Sequence, residues 1–139
     1  MSVDYRIDPE RGLVESAVSG EVTDEVMLQR QAVLRAHPLF RPHFRQLLDL
    51  SGVTRVQVTA DCIRRLALGT PFGAGSRRAI VASRPAAVGM ARMFQVLAEE
   101  RQNDVRVFPD VRSAREWLGI AEDDGDDGDS SDPDPPPAG

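Results

Sequence analysis

The sequence predicts a single-domain α/β fold: a mixed five-stranded sheet covered by about four helices, followed by a disordered acidic C-terminal tail. Three observations carry this expectation. Two strand-like runs, Tyr5–Ile7 and Leu13–Val18, are separated only by turn residues, as in an antiparallel pair. From Thr23 onward, helical periodicity alternates with short apolar runs, the pattern of β-α repeats. Finally, the stretch from Glu122 to Gly139 holds eight acids, no base, and little to bury.

Each element has its own warrant. Asp8-Pro9-Glu10-Arg11-Gly12 supplies turn chemistry between the first two strands. Thr23 reads as a helix N-cap with Asp24 and Glu25 in the first turn. That helix is expected to run to about Ala36, ahead of the loop holding Pro38 and Pro42, although its apolar residues spread around the wheel. Gln46–Leu50 holds three leucines in five residues and reads as a central strand, with Ser51-Gly52 as its break. A helix from Ala60 to Leu68, beginning at Thr59, places Cys62, Ile63, Leu66 and Ala67 on one side and Arg64 and Arg65 opposite. Arg78–Ala82 is the fourth strand. After Pro85, Met90, Met93, Phe94 and Leu97 recur at i, i+3, i+4 and i+7 on a third helix. Asp104–Phe108 is the fifth strand, and Asp110 caps a last helix expected to bury Val111, Ala114, Trp117 and Leu118.

Composition bounds the function classes. A chain of 139 residues with 41% hydrophobic content suits one globular domain, here residues 1–120, with 121–139 as the tail. No stretch approaches the ~18 apolar residues of a membrane span, and the N-terminus lacks the charged-then-apolar pattern of a secretion signal. Cys62 is the single cysteine, which fits a reducing compartment, so a cytoplasmic location is expected. The net charge of −5 is unevenly placed. Without the tail, 14 acids face 17 arginines, so the domain carries about +3. The tail reads as a solubilising appendage; alternatively, it competes with a partner for the arginine-bearing face.

At this level the chain resembles the bacterial SpoIIAA-like family. The likeness lies in "DYRIDPERGLVESAVSGEVTDEVM" at 4–27, "RRAIVAS" at 77–83, "VGMARMFQVLAEE" at 88–100 and "VRVFPDVRSAREWLG" at 105–119. That family belongs to the wider STAS group (sulfate transporter and anti-sigma factor antagonist) and has structural kinship with CRAL-TRIO lipid carriers. The resemblance implies a small mixed-sheet domain. In STAS antagonists an Asp-Ser-Ser-Gly motif opens the helix after the third strand, and its second serine is phosphorylated. Here Gln57, Val58, Thr59 and Ala60 occupy those places, so only Thr59 keeps a hydroxyl. A structural cap explains Thr59 most simply; a phosphorylatable switch at the positive end of a helix dipole is the alternative.

Other candidates have simpler readings. Thr70–Arg78 mixes glycine, hydroxyl and arginine as phosphate cradles do, but it precedes a strand and lacks the Walker spacing. It reads as a flexible connection or, alternatively, a weak anion site shared with Arg64 or Arg65. His37 and His43 have no Cys or Asp cluster to complete a metal shell, so no metal is expected. Cys62 reads as an inert buried thiol. Aromatics at 5% with no basic stripe argue against nucleic acid. No catalytic constellation is legible and no cofactor is implied. The expected function is therefore a non-catalytic STAS-like regulatory or protein-interaction domain. Its surface would comprise Ser51, Thr59, Arg64, Arg65, Gly73, Gly75 and Ser76, and its protein partner is not identified by the sequence. The alternative is a carrier or sensor of a lipid or other small apolar ligand lined by Met90, Met93, Phe94 and Leu97, although core packing accounts for that stripe more simply.

Overall fold

A computed structural model describes residues 2–120; the acidic segment at 121–139 lies outside the described residues. The chain forms β1 (Ser2–Asp8), β2 (Leu13–Thr23), α1 (Asp24–Ala36), β3 (Arg45–Gln57), α2 (Ala60–Leu68), β4 (Arg77–Val81), α3 (Pro85–Ala98), a 3₁₀ turn (Glu99–Arg101), β5 (Asp104–Phe108) and α4 (Val111–Leu118). The strands lie side by side in chain order, β1-β2-β3-β4-β5. The first pair is antiparallel and the rest are parallel. This is the expected mixed α/β domain, with β3 at its centre.

The layering follows from handedness. Each parallel connection is right-handed in nearly all proteins, and here each new strand is added beyond the last. The three crossover helices therefore fall on one face. Alanines on α3 (Ala87, Ala91, Ala98) pack there against Val18, Leu48, Ile80 and Val105. Only α4 is left for the other face, where Ala114 and Leu118 cover Leu13, Leu47, Ala79 and Val81. Glu15 pairs with both Arg6 and Arg115, at 2.5 Å for the latter, tying β1, β2 and α4 together.

Three sequence expectations are corrected. Ser51-Gly52 does not break β3. The strand runs on to Gln57 in parallel register with β2, through two register shifts, while β4 pairs only with Gln46–Asp49. Gly52 is required by close approach: a Cβ there would stand 2.9 Å from the Ser19 Cβ. On α3 the methionine stripe is not the buried face. Small alanines let the helix sit close to the sheet, leaving Met93 at 37% exposure and Val96 at 65%. Trp117 lies at the core's margin, only partly buried, with the Arg77 and Arg106 guanidiniums 5.4 and 5.0 Å from its ring.

Gly52→Ala is expected to lower stability by about 1–3 kcal/mol through overpacking. Gly89→Ala, with open space around the new Cβ and a helix interior around it, should raise it by about 0.5–1 kcal/mol. Urea denaturation of the two variants checks both signs, and a stabilising Gly52→Ala would refute the close-approach account of this glycine.

Candidate functional site

Two regions concentrate polar chemistry, one at each end of the parallel strands. At the C-terminal end, β2 and β3 each deliver the chain into a helix, and both helices begin with a threonine cap. Thr23 Oγ1 accepts from the Val26 N–H at 3.4 Å. Thr59 Oγ1 accepts from the Cys62 N–H at 3.1 Å, satisfying one of the amides that every helix start leaves unpaired. Asp24 joins the two starts. Its carboxylate accepts the Thr59 backbone N–H at 2.7 Å and the Thr59 hydroxyl at 2.8 Å, a bridge between residues 35 apart in sequence. The backbone bond first, then the hydroxyl bond, holds the Asp24 carboxyl below the ordinary carboxylate range. Thr59 is thus an exposed N-cap whose hydroxyl is already engaged in both directions.

Around this junction Asp61 and Arg64 form an exposed ion pair at 2.5 Å, and Arg65 lies beside them on the outer face of α2. Ser51 is exposed on β3. Cys62 is buried, and its thiol donates toward the Asp24 carbonyl at 3.8 Å. Burial first, then the nearby Asp24 charge, pushes that thiol up to about 11 from 9.0.

The sequence-predicted surface does not form one patch. A crossover helix must run antiparallel to the strands it joins, so Gly73, Gly75 and Ser76 follow the far end of α2. Its nine residues at about 1.5 Å each put about 13 Å between them and Thr59. Nor is that loop loose. Phe72 is buried, Gly73 N–H donates to the Pro42 carbonyl at 2.8 Å, Gly75 N–H donates to the Gln102 carbonyl at 2.8 Å, and the Ser76 hydroxyl donates to the Phe44 carbonyl at 2.6 Å.

Where Arg78 stands near the start of β4, a partly open cavity of about 40 Å³ lies under α1–α3, against Leu48, Leu50 and Ile80 of the sheet. Met27, Ile63, Leu66, Ile80, Met90 and Phe94 supply apolar walls; of the methionine stripe, Met93 and Leu97 are not in the lining. Two guanidiniums complete it. Arg78 is 4% exposed; its Nε donates to Gln46 Oε1 at 2.9 Å, and its Nη1 donates to Asn103 Oδ1 at 2.9 Å and Thr70 Oγ1 at 3.1 Å. The guanidinium carbon stands 4.3 Å from the Phe72 ring centre and 5.0 Å from that of Phe94. Arg30 reaches Ser16 Oγ with Nη2 at 3.0 Å, while its enclosed Nε has no partner. Desolvation pushes Arg30 down to about 10; desolvation and the neighbouring Arg30 charge push Arg78 down to about 9. Both remain cations at neutral pH.

This architecture has a counterpart among solved structures. The crystal structure of an uncharacterized protein of the DUF3478 family with a SpoIIAA-like fold, from Shewanella loihica PV-4, matches it with a TM-score of 0.56, covering 84% of this chain and 92% of that one. The chain has a SpoIIAA-like fold. Sequence identity is 20%, so the likeness is one of fold. No family model and no curated protein matches the chain. No helix among the described residues is long and apolar enough to cross a membrane.

Sequence reasoning missed Asp24, Arg30, Gln46, Arg78 and Asn103 in this SpoIIAA-like frame. For three of them a signal was present. Strand alternation puts Gln46 on the face of Leu48 and Leu50, and Arg78 on that of Ile80 and Ala82. Arg30 lies at helical spacing between Met27 and Leu34, the two buried residues of α1. A polar side chain at an apolar position marks a specific partner or ligand.

Thr59→Ala should cost about 1–2 kcal/mol because it removes the cap and the hydroxyl facing Asp24, whereas Thr59→Ser should stay within about 0.5 kcal/mol. Chemical denaturation distinguishes them, and equal losses would show that the hydroxyl is not the stabilising group. Cys62 should resist an aromatic disulfide reagent at pH 8 in the native state and react only on unfolding. The sign follows from its raised thiol. Its contribution to stability is intact below pH 9 and is lost as pH climbs toward 11. Prompt native labelling at pH 8 would contradict this.

Proposed function

We propose that this SpoIIAA-like domain is a non-catalytic regulatory module that binds a protein partner through the joined N-terminal ends of α1 and α2. The Asp24–Thr59 double hydrogen bond carries this reading. It fixes an exposed patch bearing Thr59, Asp61, Arg64 and Arg65 before any partner arrives, and a rigid patch loses less entropy on association. Phosphorylation of Thr59 is the switch this reading offers. A phosphate there would face the Asp24 carboxylate, and like-charge repulsion would prise the two helix starts apart.

Affinity capture from a native lysate tests the proposal, using wild-type protein, Thr59→Glu, Arg65→Glu and, on the opposite face, Glu116→Lys. A partner retained by wild type and Glu116→Lys but depleted at least tenfold by the other two is the expected result. Identical recoveries across all four proteins would defeat it.

A second reading, a carrier or sensor of a small ligand, is favoured by the cavity beside Met90 and Phe94. Its volume of about 40 Å³ has room for about three waters, well short of a lipid chain. Native mass spectrometry of the purified protein is expected to show no lipid adduct, and a stoichiometric acyl chain would restore the lipid-carrier reading.

A further inference from the structure

We propose that the cavity under α1–α3 binds one compact monovalent anion between the guanidiniums of Arg30 and Arg78. This narrows the small-ligand reading to a chemical class and rests on its cavity, not on the partner surface. Two cations face this space, and no carboxylate among the described residues pairs with either. Holding an ion out of water costs several kcal/mol unless a counter-charge or full hydrogen bonding offsets it. Arg78 is partly compensated by Gln46, Asn103, Thr70 and its two aromatic neighbours. Arg30 is half-buried, and it has Ser16 for one nitrogen while its enclosed Nε has no partner.

The polarity of the deficit is uniform. Arg30 Nε and Gln46 Nε2 are enclosed without partners, and Arg78 Nη2 donates to no described residue. All three are donors; Arg30 and Arg78 line the cavity, so an occupant that completes them is an acceptor, and two cations with no carboxylate partner among the described residues favour a negative one. Size sets the rest. About three waters' worth of space admits a planar oxoanion of three or four heavy atoms, the shape a guanidinium fork grips through two parallel N–H bonds. The apolar walls strengthen that grip by excluding water.

The test uses the full chain at constant ionic strength, with gluconate replaced stepwise by nitrate or formate. The side-chain Nε–H signals of Arg30 and Arg78 report directly from the cavity. Both should shift saturably while Tm rises along the same isotherm. Arg30→Met, altering a helix residue that keeps some solvent exposure, should weaken the response of the Arg78 signal and of Tm at least tenfold. Arg78→Met is a second probe where it folds, with the same loss expected at Arg30. No saturable shift in wild type, or an unaltered one in Arg30→Met, would overturn the proposal. So would saturable binding of decanoate with none of nitrate or formate, an outcome that leaves an apolar-ligand cavity standing. Loss of partner capture by Thr59→Glu bears on the other surface and leaves this result untouched.

Discussion

The Arg78 guanidinium is buried where five parts of the chain meet, and its need for partners dictates how the N-terminal end of the sheet is built. Gln46 on β3, Thr70 in the loop after α2, and Asn103 ahead of β5 each turn an oxygen toward it. Phe72 and Phe94 cover its faces, and α1 brings a second arginine alongside. Asn103 then spends its amide on the carbonyls of Gly73 and Arg101, pinning the loop that composition alone made look free. Removing any one oxygen would leave a buried charge short of a bond, a more costly defect than a lost surface contact.

The opposite end of the strands obeys a different economy. Charges there are exposed, so individual ion pairs such as Asp61–Arg64 add little stability. What organises this end is backbone amides at two helix starts, each capped by a threonine, with Asp24 shared between them. The protein thus keeps an ordered polar surface at one end and a positively charged interior at the other. α2 spans the distance between them, with Thr59 at its start and Leu66 reaching the cavity wall.

Local chemistry made most of the fold legible. Caps at Thr23, Thr59 and Asp110, Pro85 at a helix start, and the apolar run of β3 marked elements whose type needed no distant contact. Boundaries that depend on neighbours were not legible. Gly52 resembles a breaker until Ser19 is seen beside it, because only the paired strand explains why a side chain is excluded. On α3 periodicity identified the helix but not its buried face, since close packing prefers alanine where a stripe of larger residues had suggested the core. The site was the least legible part. Thr59 stood out as a cap, but the Asp24 bridge spans 35 positions. The buried arginines were disguised because all 17 basic residues of the chain are arginine, so each looks like the next.

The account stands on Arg78 being locked inside the domain as a hydrogen-bonded cation, and hydrogen exchange of its side-chain Nε–H measures this most directly. Bonded to Gln46 and 4% exposed, that proton should exchange only when the domain opens globally, at a rate tracking the slowest backbone amides of β3 and β4. Exchange as fast as that of Arg64 or Arg65, with the backbone still protected, would contradict it.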